Sequence, residues 1–285
     1  MVTRGLVAAL LLTVVGLAGC QADDASRGTD RYVALGDSFT SGAGLPRTRR
    51  DAFACGQSAL NYPNLVAKAI GATLVDVSCG GATTENGTQP QSLGEESWPP
   101  QLDAVTKDTD LVTVSLGGND LAWYLGLMLS CTTAGAADPT GNPCEQQGTS
   151  PEWDLTALPP QIGVRLEALL TEVHRRAPAA RVLLVGYPQP VPAHGTCPEL
   201  PLATGDYPFV RAQWEAMDAA MRKAAGAAGA TFVGVLGPSE GHDICAGADA
   251  WVNGFEHRPG VAAAYHPLTS GQAGVAELVE RALSQ

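Results

Sequence analysis

The chain has 285 residues, of which 45% are hydrophobic and 16% charged, enough apolar material for one sizeable core and too ordinary a composition for a disordered protein. Its formal net charge is -12, with 17 Lys and Arg against 29 Asp and Glu. That balance argues against a nucleic-acid partner, because binding a phosphate backbone needs a cationic face.

The first residues read as a targeting element. Arg4 supplies a positive start, residues 6–17 form an apolar run too short for an ordinary membrane span, and Leu17-Ala18-Gly19-Cys20 closes it. This tetrapeptide resembles a bacterial lipobox, in which the cysteine is lipidated and becomes the first residue of the mature protein. A plain signal peptide ending beside a chance cysteine is the alternative. The reading divides the chain into a lipoprotein signal peptide over 1–19, a lipid-anchored tether over 20–30, polar and aperiodic, and one catalytic domain over 31–285. Giving Cys20 to the anchor leaves Cys55, Cys79, Cys131, Cys144, Cys197 and Cys245, an even set of the kind that pairs in exported proteins. None stands in a C-x-x-C pair, so structural disulfides are expected over a metal or redox site. Six thiols leave the connectivity open; sequential pairing is the expectation, each loop contributing roughly 3 to 4 kcal/mol in the chain-entropy model.

Along the domain, short runs rich in Val and Leu at 32–35, 73–77, 111–116, 181–185 and 231–235 read as buried parallel strands. Helical patterns lie between them. Ile162, Leu166, Leu169, Leu170 and Val173 share one face, as do Val210, Trp214, Met217 and Met221, and a last helix is expected over 269–283 with Thr269 or Ser270 as its N-cap. The alternation predicts a three-layer α/β/α open sheet of about five parallel strands. Residues 131–160 and 188–208, rich in Pro, Gly and Thr, read as long surface loops near a site.

Ligands of open α/β sheets bind beyond the carboxyl ends of the strands, and three of these strands end unusually. The first runs into Gly36-Asp37-Ser38, the second into Ser78-Cys79-Gly80-Gly81, and the third into Gly117-Gly118-Asn119-Asp120. A hydroxyl, a flexible backbone donor and a side-chain amide at one edge suit acyl transfer, in which a serine oxygen attacks a carbonyl and donors stabilise the oxyanion. Taken singly, Ser38 is a turn or cap residue, Gly80 and Gly81 a tight turn, Asn119 an N-cap and His266 a surface residue beside Pro267. Their coincidence carries the catalytic reading.

These blocks together resemble the GDSL, or SGNH, hydrolase family of esterases and lipases, over essentially the whole domain. The resemblance implies a flavodoxin-like sheet, Ser38 as nucleophile and His266 as base. It also implies an oxyanion hole made by the N–H groups of Ser38 and Gly81 and the Asn119 amide. The family commonly has Asp three residues before its histidine, where this chain has Ala263. Some actinobacterial members to which the chain is similar, esterases and phospholipases A1 among them, orient the histidine through a backbone carbonyl. That role falls here to Ala263 or Ala264, with Asp243 or Glu256 as the remote-acid alternative. Asp37 and Asp120 are expected to accept local backbone hydrogen bonds. His194 and Cys197 lack further ligands, so no metal and no cofactor is implied.

The expected activity is hydrolysis of carboxylic esters, lipid or short-chain, by an exported monomer anchored to the cell envelope or released from it. Its partners would be a small-molecule or lipid ester and, through the anchor, the membrane. A carbohydrate or peptidoglycan O-acetyl esterase is the rival within enzymes, and an inactive acyl-binding lipoprotein the rival outside them.

Overall fold

The computed structural model describes residues 1–2 and 29–285. Most of the leader over 1–19, Cys20 and the tether up to residue 28 lie outside the described residues.

Five short apolar runs form one parallel sheet: β1 (Arg31–Gly36), β2 (Thr73–Asp76), β3 (Leu111–Ser115), β4 (Arg181–Val185) and β5 (Thr231–Val233). They lie in the order β2-β1-β3-β4-β5, the flavodoxin-like arrangement. The helices α1 (Ser38–Ser41), α2 (Tyr62–Ile70), α3 (Leu158–Arg176), α4 (Tyr207–Ala228) and α5 (Thr269–Leu283) complete the three layers. Side chains alternate across a strand, so β1 serves two cores. Val33 and Leu35 pack with Ile162 and Leu166 of α3 and Val210 and Met217 of α4. Tyr32 and Ala34 pack with Tyr62 and Val66 of α2 and Val275 and Val279 of α5.

This strand order fixes where chemistry can sit. The chain moves outward from β1 to β2 and then returns to the other side of β1, where Gly36 lies beside Ser115 of β3. The crevice beyond the carboxyl ends of β1 and β3 is therefore the topological switch point. Ser38 and Asn119 both follow directly from it.

Some local expectations are corrected. Residues 131–160 form no surface loop: they hold helices Cys131–Ala137 and Pro143–Gly148 and a small hairpin, with Cys131, Cys144 and Leu155 buried. Buried Asp206 supplies the cap, accepting the N–H groups of Cys144 at 3.0 Å and Glu145 at 2.9 Å. Residues 188–208 are irregular, but their first part, including Gln189 and Val191, is buried. Helix α2 lacked a sequence expectation, although Asn61 caps it by accepting the Asn64 N–H at 3.2 Å. Helix α5 starts at Thr269 after Leu268 without a side-chain cap, because the Ser270 hydroxyl donates instead to the Ala250 carbonyl at 2.7 Å. The cysteines join as Cys55–Cys79, Cys131–Cys144 and Cys197–Cys245.

Gly117, at the exit of β3, has φ +112°, and a Cβ there would stand 2.9 Å from Cγ2 of Ile162 and 3.1 Å from Cε of Met217. Gly117→Ala should therefore destabilise the fold by about 2 kcal/mol through backbone strain and overpacking. Urea unfolding measures this, and a midpoint equal to that of the parent chain would contradict it.

Candidate active site

Ser38 is the first residue of α1, and Asp37 caps that helix by accepting the Phe39 N–H at 2.9 Å. The other carboxylate oxygen of Asp37 accepts the Tyr187 hydroxyl at 2.6 Å, and that hydroxyl accepts the Gly118 N–H at 3.0 Å. Burial pushes the Asp37 carboxyl up to about 7, with the Tyr187 and Phe39 hydrogen bonds opposing the rise. Gln101 pins the strand end from the side, accepting the Gly36 N–H and donating to the Gly36 carbonyl, both at 2.9 Å. Asp37 thus makes the expected local bond and a distant one. The contacts of Asp120 are all distant: it accepts the Thr84 N–H at 2.8 Å, the Thr84 hydroxyl, and Arg165 at 3.3 Å.

The Gly81 turn and Asn119 are held together. Asn119 Nδ2 donates to the Ala82 carbonyl at 3.0 Å, leaving its second N–H available. Asn119 makes no N-cap bond. Gly81 has φ +76°, a conformation that favours glycine. The N–H groups of Ser38 and Gly81 find no acceptor among the described residues. The Cys55–Cys79 disulfide and the Gly80 N–H, donating to the Cys55 carbonyl at 2.9 Å, brace the turn.

His266 arrives from far along the chain. Its loop is docked on the Ser38 loop by the Ala263 N–H, which donates to the Ala43 carbonyl at 2.9 Å, and the rings of His266 and Phe39 lie 5.1 Å apart. His266 Nδ1 lies 2.6 Å from the Ala264 carbonyl oxygen. A carbonyl only accepts, so Nδ1 carries the proton and Nε2 keeps its lone pair. The Ala263 carbonyl is taken instead by Asn253 Nδ2 at 3.0 Å and the His266 N–H at 3.3 Å. Asp243 accepts the Cys245 N–H at 2.8 Å and Glu256 is exposed; neither bonds His266. Burial pushes the imidazole below its ordinary value, the Ala264 hydrogen bond opposes that, and His257 adds to the lowering. The Ser38 hydroxyl itself makes no hydrogen bond among the described residues, a looseness common before substrate binds.

A narrow cleft lies beside Ser38 and Asn119, walled by Phe39, Trp123, Tyr124, Tyr187 and Trp214. Left-handed non-glycine residues flank it: Leu121 at φ 54°, Ala122 at φ 57° and Tyr265 at φ 59°. Backbone strain of this kind gathers at functional sites. Tyr187, Gln101 and Asn253, which lock the parts together, carry no motif and were missed in the sequence. Only their positions after β4 or in loops could have raised them. His194 is exposed and Cys197 lies in a disulfide; among the described residues no group of three or more His, Cys, Asp or Glu is arranged to hold a metal ion.

Comparison with known proteins agrees with this architecture. The model of the GDSL-like lipase/acylhydrolase family matches residues 34–273. Lipase 2 of Streptomyces coelicolor is 41% identical over 219 residues, 75% of this chain and 72% of that protein. Phospholipase A1 from Streptomyces albidoflavus NA297 is similar in structure, with a TM-score of 0.73 and 26% identity over 89% of this chain and 99% of its own. The extracellular lipase from Streptomyces rimosus gives a TM-score of 0.75, also at 26% identity, with the same coverage. Since the family match runs from β1 into α5 and encloses the Ser38, Gly81, Asn119 and His266 blocks, the chain belongs to the GDSL-like lipase/acylhydrolase family of carboxylic ester hydrolases.

Proposed function

We propose that the chain is an exported serine esterase that hydrolyses lipid or short-chain acyl esters through a Ser38 acyl-enzyme, with His266 as base. The observation that carries this reading is the bond from His266 Nδ1 to the Ala264 carbonyl, which fixes the tautomer with a basic Nε2 without a carboxylate. Nε2 takes the Ser38 proton as Oγ attacks the acyl carbon. The oxyanion is held by the Ser38 and Gly81 N–H groups and the Asn119 amide. The imidazolium then gives its proton to the leaving alcohol, and water, activated in the same way, releases the acid and restores Ser38.

The aromatic walls of the cleft suit an apolar acyl group. The segment that supplies Trp123 and Tyr124 also exposes Leu121, Leu125 and Leu129, apolar surface over which a longer chain can continue. No helix among the described residues is long and apolar enough to cross a membrane. Membrane attachment in this reading is through a lipid on Cys20, and it is supported by the lipobox-like motif and by the pairing of the six other cysteines among themselves.

Ser38→Ala should cut hydrolysis of short-chain nitrophenyl esters by at least about 10³-fold while leaving the fold intact; turnover at the parent level would sink the assignment. The pH profile of kcat/KM tests the base. Activity should fall about tenfold per pH unit below the His266 pKa, and burial places that acid limb below the ordinary 6.5. A limb centred above that value would contradict the carbonyl-held, buried imidazole. Cys20→Ala should move the protein from the membrane fraction to the soluble fraction of the producing cells, and unchanged partition would remove the anchor from the reading.

A further inference from the structure

The loop that brings His266 to the site closes around one side chain. At its base the Asn253 N–H donates to the His266 carbonyl at 2.9 Å, and the Tyr265 N–H donates to the Gly254 carbonyl at 3.0 Å. At its tip Arg258 and Ala262 exchange two backbone hydrogen bonds, each at 3.1 Å. The Asn253 side chain fills the space between, in a residue only 1% exposed. Its Nδ2 donates to the carbonyls of Glu256 at 2.8 Å and Ala263 at 3.0 Å, and lies 3.3 Å from that of Ala262. Each carbonyl from Ala262 to Tyr265 therefore has its own partner. Asn253 takes the first two, His266 Nδ1 the third and the Tyr124 hydroxyl the fourth.

Arg258 decides which way that amide faces. Nε and Nη2 of its guanidinium lie 3.0 and 2.8 Å from Asn253 Oδ1. A guanidinium only donates, so this oxygen accepts both bonds and the NH₂ end of the amide is turned to the carbonyls. Hydrogen bonds from a cation are stronger than neutral ones, and the electron density they draw to Oδ1 makes the Nδ2 hydrogens better donors. Arg258 is an exposed residue, and among the described residues its guanidinium makes hydrogen bonds to Asn253 alone. An exposed residue at the tip of the loop thus fixes the buried amide at its centre.

We propose that Arg258 is a positioning residue for the base: through Asn253 it holds back the Ala262 and Ala263 carbonyls and leaves that of Ala264 as the acceptor for His266 Nδ1. The proposal rests on His266 being the base of the esterase reaction above. Without the guanidinium the amide is free to rotate, the Ala263 carbonyl is released to compete for Nδ1, and Nε2 loses its fixed direction. Misplacing a reacting group by about 1 Å costs up to roughly 10²-fold in rate. Ester binding depends on the walls of the cleft, which Arg258 does not line, so the loss belongs to kcat and not to KM.

Steady-state hydrolysis of a short-chain nitrophenyl ester, with thermal unfolding followed by circular dichroism, tests the proposal on Arg258→Met, Asn253→Ala and the double variant. Arg258→Met, a change at an exposed residue, should lower kcat about tenfold, keep KM within about twofold and leave the melting temperature near that of the parent. Where Asn253→Ala folds, the double variant should be no slower than Asn253→Ala alone, because Arg258 acts through Asn253. The proton resonance of His266 Nδ1–H, assigned by its loss in His266→Ala, should shift or broaden in Arg258→Met. Parent-level kcat in Arg258→Met overturns the proposal, as does a loss carried by KM, an unchanged Nδ1–H resonance, or rate losses that multiply in the double variant. The resonance needs no turnover, so a failed Ser38 assignment and a failed Arg258 role give different results.

Discussion

The Tyr187 hydroxyl is the bond on which the site rests. It donates to Asp37 beyond β1 and accepts from Gly118 beyond β3, while its own backbone follows β4. Three neighbouring strand ends are thereby joined through one buried oxygen. Asp37 in turn caps α1 and sets the position of Ser38, and Gly118 directly precedes Asn119. Ser38 and Asn119 are thus registered against each other by one chain of hydrogen bonds rather than by two separate loops. Burial of the carboxylate is the cost of that arrangement, and its pKa of about 7 reflects it.

The histidine loop is built on a different principle. A backbone carbonyl holds the imidazole where this family commonly uses a carboxylate, so tautomer and orientation are fixed without a neighbouring negative charge. Such an imidazole gains less stabilisation on protonation, in keeping with the lowered pKa of His266. The carbonyl must itself be held. Asn253 ties the Ala263 carbonyl, its N–H donates to the His266 carbonyl at 2.9 Å, and the Tyr124 hydroxyl donates to the Tyr265 carbonyl at 3.1 Å. These contacts offset the left-handed backbone at Tyr265 just before the histidine.

On the opposite side of the site, the Gly81 turn follows β2 and is fastened at that edge of the sheet. The Cys79 N–H donates to the Gly36 carbonyl at 3.0 Å, and Gln91 grips the Gly80 carbonyl. The turn is therefore fastened to β1, to the loop of Cys55 and to Gln91 at once. In the proposed reaction the Gly81 N–H would meet a developing charge without reorganising, which this rigidity favours.

The sequence by itself determined the strands, the two long helices of one face and the blocks that carry Ser38, Gly81, Asn119 and His266. Those features are local: a run of Val and Leu bounded by glycine, a helical period, a short motif at a strand exit. It also narrowed the histidine's partner to Ala263, Ala264 or a remote acid, since the usual acid position holds Ala263. Only the tertiary structure decided between the two carbonyls, because the choice depends on Asn253 taking Ala263 across the loop. Only it turned residues 131–160 into short helices that bury Cys131, Cys144 and Leu155, since the residue that caps the second of them, Asp206, lies some sixty residues away. Tyr187 and Gln101 were illegible for the same reason. A hydrogen bond between distant strand ends leaves no period and no spacing in the chain; it exists only once the sheet order has brought those ends together.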